Sequence, residues 1–203
     1  MGRQKQQAMD AGVGAVLLGA VSTFGDWLWT HYIPDGAVVP GILHGVVVFL
    51  VIGLFLASRA VRSGGLPERA RQLVWGLPVA GAVIAAAFYP IYGFLDAVGY
   101  GGYRGYLGSL LVTWVAMWGV IAWLHGRARP HSQGAGETAS RAALAAVGSG
   151  LAFWAISDIW TKAQPGGPNY LWHFACWSFA FLPGFAALLL PIPGSPEPAA
   201  DVD

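Results

Sequence analysis

Apolar residues fill this chain in six stretches, approximately 13–32, 37–57, 73–95, 106–125, 141–160 and 169–190, separated by short polar gaps. Each stretch is close to the ~20 residues that an α-helix needs to cross ~30 Å of hydrocarbon. The pattern predicts an all-α integral membrane protein with six transmembrane helices in one bundle. Residues 1–12 form a short N-terminal segment, and 191–203 a Pro-rich acidic tail that is expected to be disordered. The connections are short. Ile33-Pro34-Asp35-Gly36 is a tight turn that makes the first two helices antiparallel. A Gly-rich run, Gly99 to Tyr103, links the third and fourth helices, and Gln164 to Pro168 precedes the sixth. The polar link from Gly126 to Ser140 is expected to be mobile.

The charges fix an orientation on this pattern. Arg3, Lys5, Arg59, Arg62, Arg69, Arg71, Arg127, Arg129 and Arg141 lie at the N-terminus and in every second gap. Only Arg104 and Lys162 lie in the others. By the positive-inside rule both termini are expected to be cytoplasmic. The Arg-, Ala- and Gly-rich usage is that of a GC-rich bacterial gene, for which the membrane would be the inner one. The first stretch has a basic start, but no A-x-A-like site ends it, and it continues into Asp26-Trp27-Leu28-Trp29. It is read as a retained helix and not as a cleaved leader.

Composition narrows the function. Charged residues are 10% of the 203, against about 25% in soluble domains, and the net charge of +1 leaves no basic surface for nucleic acid. The single cysteine, Cys176, allows no intrachain disulfide and no CxxC redox pair; it reads as a small packing residue. HExxH, GxSxG and P-loop motifs are absent. No row of carboxylates crosses the apolar stretches, which disfavours a proton-coupled pump.

Small residues mark where helices can approach closely. They are Gly41 and Gly45 in the second helix, Ala15, Gly19 and Thr23 in the first, Gly81 and Ala85 in the third, and Ala142, Ala146 and Gly150 in the fifth. Such faces also make a homo-oligomer, dimer or trimer, an expectation. Pro40 and Pro78 lie near helix starts, whereas Pro90 and Pro183 lie deeper and should bend the third and sixth helices. Bent helices cannot pack flush, so a cavity between them is expected. Trp27, Trp29, Tyr32, Tyr170 and Trp172 at one side, and Trp75 and Trp123 at the other, suit headgroup depth.

Candidate chemistry is sparse. Asp26, His31, Asp35, His44, Asp96, Asp158 and His173 fall toward one side of the membrane. His44 and Asp26 stand out because they lie inside their helices, where a charged side chain must face the bundle or water. Ser22 sits one turn below Asp26. Ser109, Thr113 and Met117 share a face of the fourth helix, beside Trp114 and Trp118; Ser149, Phe153 and Ser157 line up in the fifth. Hydroxyls in such helices usually bond back one turn. Otherwise, a greasy pocket with a few hydroxyls and aromatics suits a lipid with a small polar head.

Several segments resemble the Insig family of six-helix membrane proteins. Leu107-Gly108-Ser109-Leu110-Leu111-Val112-Thr113, then Gly119, Trp123 and the basic exit Gly126-Arg127-Ala128-Arg129, are similar to that family's fourth helix. Pro168-Asn169-Tyr170-Leu171-Trp172, with Gly184 further on, resembles the start of its sixth. Val39-Pro40-Gly41 and Val51-Ile52-Gly53-Leu54 resemble its second. The resemblance implies a bundle that binds sterol and a regulatory membrane-protein partner. Two positions depart from it. His125 stands where the family carries an Asp used in partner binding, and Gly108 where it presents a polar amide.

The reading that combines these features is a non-enzymatic, Insig-like protein holding a membrane lipid, sterol or diacylglycerol-like, in a cavity of the bundle. It uses no metal or other cofactor. Its expected lining is Ser22, Asp26, His44, Tyr89, Thr113, Trp114, Met117 and Ser157. The alternative is a metal-dependent lipid hydrolase built on His31, His44, His173, Asp26, Asp96 and Asp158, which requires at least three of them to meet at one ion.

Overall fold

A computed structural model describes residues 2–34, 37–128, 134–162 and 169–191, apart from the side chains of residue 3 and residues 157–162. Asp35, Gly36, the Gln164–Pro168 link and the tail from Ile192 fall outside it. The described residues form six helices and no strand: α1 Arg3–Tyr32, α2 Val38–Arg62, α3 Pro67–Ala97, α4 Gly102–Ala128, α5 Ala135–Lys162 and α6 Tyr170–Leu189. Each of the six contains a segment long and apolar enough to cross a membrane.

The helices outrun the apolar stretches where local chemistry supports them. α1 begins at Arg3, well before Val13, and its polar first turns are tied down. Gln6 donates to Asp10 one turn on (3.1 Å), and Asp10 pairs with Arg59 of α2. α3 starts with Pro67 in its first turn, where a missing N–H costs nothing, and Glu68 follows at the positive end of the helix dipole. Pro78, expected near a helix start, is therefore interior. The link expected from Gly126 to Ser140 is helical at both ends, through Ala128 and from Ala135. α6 is capped by Asn169, whose side chain accepts from the Trp172 N–H (3.1 Å). Gly64, Gly99 and Gly102 have positive φ, which explains glycine in the α2–α3 and α3–α4 turns.

The six helices form a ring. Each packs on its neighbour in sequence, α6 closes on α1, and across the ring the α4 backbone stays apart from α2 and α6, with large side chains bridging α4 to α6. Both helix ends nearest the termini lie at one end of the ring, since Gly14 near the start of α1 meets Phe185 near the end of α6. We call this the terminal end and the other the far end. Small residues set the close crossings. A methyl group on Gly45 would lie 2.6 Å from Ala85 Cβ and 3.0 Å from the Gly81 carbonyl oxygen; one on Gly53 would lie 2.7 Å from the Leu73 carbonyl oxygen. Gly19 similarly faces Ser178 of α6, and Gly150 faces Leu111. The small-residue faces are thus largely occupied within the chain.

The core lies in the terminal half. There Phe55 of α2 meets Phe185 of α6 edge to face at 5.5 Å, and Phe185 meets Trp118 of α4 at 5.6 Å. Ile52, Leu56, Leu18, Ile121 and Leu188 surround this plug and are fully buried. Gly184 leaves room for the Trp118 indole, whose ring would sit 2.2 Å from an added methyl. Arg141 is buried at the same end. Its Nη1 donates to the carbonyls of Ala187, Leu188 and Leu190, and its Nε donates to Glu137 (2.9 Å). One guanidinium thereby satisfies the last carbonyls of α6, which no helical N–H can reach. Exposed apolar side chains such as Val79, Val83, Leu151, Trp154 and Leu171 cover the outside.

Candidate ligand cavity at the far end of the bundle

The far half of the ring is lined differently. Asp26 enters from α1, His44 from α2, Tyr106 from α4, and His173 and Trp177 from α6. Asp26 Oδ2 accepts from the Trp177 indole N–H at 2.7 Å and from His173 Nδ1 at 3.0 Å. His44 and Tyr106 lie close enough to interact electrostatically with the same carboxylate. The imidazole of His44 packs against Gly25, where an added methyl would come within 2.1 Å of the ring. A glycine at that position admits the histidine to the interior.

These side chains are enclosed by protein yet accessible. The Asp26 side chain keeps 23% of its surface and Tyr106 keeps 41%. At this end Trp29 of α1, Gly41 of α2 and Tyr89 of α3 converge. A methyl on Gly41 would lie 2.1 Å from the Tyr89 hydroxyl and 3.4 Å from the Trp29 ring. Tyr89 also donates to the carbonyls of Ala37 (3.2 Å) and Val38 (3.3 Å), tying α3 to the start of α2.

An aromatic layer lies below. Trp114, Phe153, Trp177 and Phe181 stack with centroids 4.9–6.0 Å apart and interplanar angles of 21–28°. Trp114 Nε1 donates to Ser149 Oγ at 3.0 Å, and the Ser149 hydroxyl donates in turn to the Ala180 carbonyl of α6. This chain of bonds joins α4, α5 and α6 and holds the rings in register. Trp177 belongs to both layers, since its N–H reaches up to Asp26.

The expected lining residues divide accordingly. Asp26 and His44 converge at the far end, with Tyr89 at the same end and Ser22 buried one turn below Asp26. Trp114 and Met117 are buried in the layer beneath, and Trp114 is committed to Ser149. Thr113 bonds back to the Ser109 (2.9 Å) and Leu110 (3.0 Å) carbonyls, as Ser109 does to Gly105. The side chain of Ser157 lies outside the described residues. Tyr106, Trp177 and Phe181 are additions. Two signals pointed to them: Tyr106 stands on the same face as Leu110, Thr113 and Met117, and His173, Trp177 and Phe181 recur at four-residue spacing.

For the metal set, the described residues contain no group of three side chains placed to hold an ion. His31 is turned to the Trp27 carbonyl (2.8 Å), and Asp96 packs on Gly101 in the α3–α4 turn. Asp35 and the side chain of Asp158 lie outside the described residues. A shallow apolar groove of about 490 Å³ also runs between α1 and α6, lined by Thr23, Phe24, Trp27, Tyr170, Leu171 and Phe174. Phe24 and Leu171 are exposed, so it belongs to the outer surface.

Fold and site together define an all-helical bundle of the multi-pass membrane type, with a plugged terminal end and a cluster of polar and aromatic side chains at the far end. No protein-family model matches the chain, and no curated protein or solved structure is significantly similar to it.

Proposed function

We propose that this protein binds a lipid-like ligand in the far-end cavity and acts as a binding or sensing module of the membrane, without catalysis. The observation that carries the reading is the set of enclosed but accessible polar side chains, Asp26, His44 and Tyr106, at the same end as Trp29 and Tyr89 and over an apolar aromatic layer. A few polar groups converging in an otherwise greasy space suit an amphiphile with a small head. The seam between α1 and α2 offers the tail a way out, because these neighbours touch least in the ring. The six-helix topology and the resemblance of the second, fourth and sixth helices support an Insig-like assignment. In this reading both termini face the cytoplasm of a bacterial cell, with the nine bases of that side on the inner leaflet.

Native mass spectrometry of the detergent-purified protein, with lipid extraction from the same sample, tests the reading. A stoichiometric bound lipid that is lost when Tyr106 is enlarged to Trp is the expected result. A chain that flies without lipid, and takes up none from added bilayer extract, would overturn it.

A further inference from the structure

α1 carries two carboxylates that point into the bundle, one near each end. Asp10 is buried and pairs with the guanidinium of Arg59, so the chain itself supplies the counter-charge. Among the described residues Asp26 has no Arg or Lys partner; it pairs with His173 at 3.0 Å, which supplies a counter-charge only when protonated. Its two hydrogen bonds come from an indole and an imidazole, groups that can donate while remaining neutral. Both bonds fall on Oδ2; among the described residues nothing donates to Oδ1. Arg104, the base nearest in sequence to Tyr106, is exposed and does not act on the carboxylate. The groups that face Asp26 are His44 from α2, Tyr106 from α4, and His173 and Trp177 from α6. The site is therefore a carboxylate with one open oxygen, beside aromatic rings, at the accessible end of the ring. A carboxylate in low dielectric repels anionic heads and favours a cation. Trp and Tyr rings add cation–π attraction for the same charge.

We infer that the ligand's head is a protonated amine, which donates to Asp26 Oδ1 and completes the ion pair that Arg59 completes for Asp10. This inference rests on the cavity reading above and narrows it to cationic amphiphiles. It disfavours anionic phospholipid and fatty-acid heads, and it ranks a neutral hydroxyl below an ammonium.

The test uses three probes with one tail: dodecylamine, dodecanol and dodecanoate. Each is titrated into the full chain in phosphatidylcholine nanodiscs, with protein-free discs as the blank, and tryptophan fluorescence is the readout because Trp177 bonds directly to Asp26. Saturable binding of dodecylamine, about ten-fold or more tighter than dodecanol and with dodecanoate weakest, is expected, since a charge-assisted hydrogen bond replaces a neutral one. Asp26→Asn should bring dodecylamine down to the level of dodecanol. Dodecanol binding as tightly as dodecylamine would overturn the inference and leave the cavity reading standing. An amine preference that persists in Asp26→Asn would overturn it equally, by moving the amine elsewhere. If none of the three saturates, the cavity reading itself falls. The wild-type series decides even if the variant does not fold.

Discussion

The two ends of the ring solve the same problem in different ways. Each must accommodate polar groups on helices whose other residues are apolar. At the terminal end the charged groups are paired and the centre is filled: Asp10 by Arg59, the α6 carbonyls by Arg141, and the ring's centre by Phe55, Phe185 and Trp118, although Gln7 Oε1, Arg59 Nε and Trp118 Nε1 are buried there without a hydrogen-bond partner among the described residues. At the far end Asp26 accepts on one oxygen alone among the described residues, Tyr106 is partly exposed, and stacked aromatic rings take the place of the edge-to-face plug. The difference teaches that stability is concentrated in one half and that the other half is left adaptable. Substitutions of the same kind should therefore have unequal effects at the two ends.

The largest effect is expected at the ion pair. Asp10→Ala leaves a guanidinium without its partner in a nearly buried site, which costs about 3–5 kcal/mol. Asp10→Ala combined with Arg59→Met should recover most of that loss, because an apolar pair of similar volume removes the uncompensated charge. Asp26→Asn keeps both donors of Oδ2 supplied with an acceptor and should cost about 1 kcal/mol. Unfolding of the purified protein by SDS titration measures all three. Equal losses for Asp10→Ala and Asp26→Asn would erase the distinction between the ends.

Glycine-to-alanine exchange sharpens the same comparison. A methyl on Gly53 meets the Leu73 carbonyl oxygen at 2.7 Å, so α2 and α3 must move apart. Overpacking against backbone costs about 1–3 kcal/mol. The nearest atoms to a methyl on Gly25 belong to the His44 side chain, which can turn about its own bonds where a carbonyl cannot. Gly25→Ala should cost less than about 1 kcal/mol while reducing ligand uptake. The same unfolding titration, run beside the lipid-occupancy measurement, separates the two outcomes.

Much of this fold was legible in the pattern of apolar residues, because crossing hydrocarbon demands a length that leaves little else to read. The close crossings were legible too, since Gly45, Gly81 and Ala85 are small for the reason the structure makes plain. What the sequence hid was the pairing of polar groups across helices. Nothing in a linear reading places Asp10 against Arg59, or turns Arg141 from an orienting charge into the cap of α6. At the site, Asp26 and His44 were found by their depth within helices, where a polar side chain needs a reason. Tyr106 and Trp177 were passed over: Tyr106 starts an apolar stretch, where an aromatic residue also suits an interface, and Trp177 lies in the middle of one, where it reads as core. Ser149 departs from the rule that a helical Ser or Thr hydroxyl bonds to its own helix, and it does so because α6 brings the Ala180 carbonyl within reach.

A smaller effect is expected in the layer between the two ends. Trp114→Phe keeps the stacked ring and removes one N–H. Ser149 still has the Ala180 carbonyl to donate to, so no buried donor is orphaned. The loss should be about 1 kcal/mol, the net value of one hydrogen bond. A loss several times larger would mean that the chain of bonds through α4, α5 and α6 acts as a unit, and a Trp114→Phe/Ser149→Ala double-mutant cycle would measure the coupling.

Thr113→Val should do least. The residue sits on the face that carries Tyr106 and Met117, yet its hydroxyl proton is engaged by the carbonyls of Ser109 and Leu110. Valine keeps the shape and frees carbonyls that already accept within the helix, so stability should stay within about 0.5 kcal/mol. Ligand occupancy should also be unchanged, because a hydroxyl turned back on its own helix has no proton to offer a headgroup. Lipid occupancy by native mass spectrometry checks this directly. A marked fall in the Thr113→Val protein would mean that the hydroxyl rotates to meet the ligand. The polar site would then extend below Asp26 into the aromatic layer, and the boundary between the adaptable and the sealed half would lie about two turns nearer the terminal end.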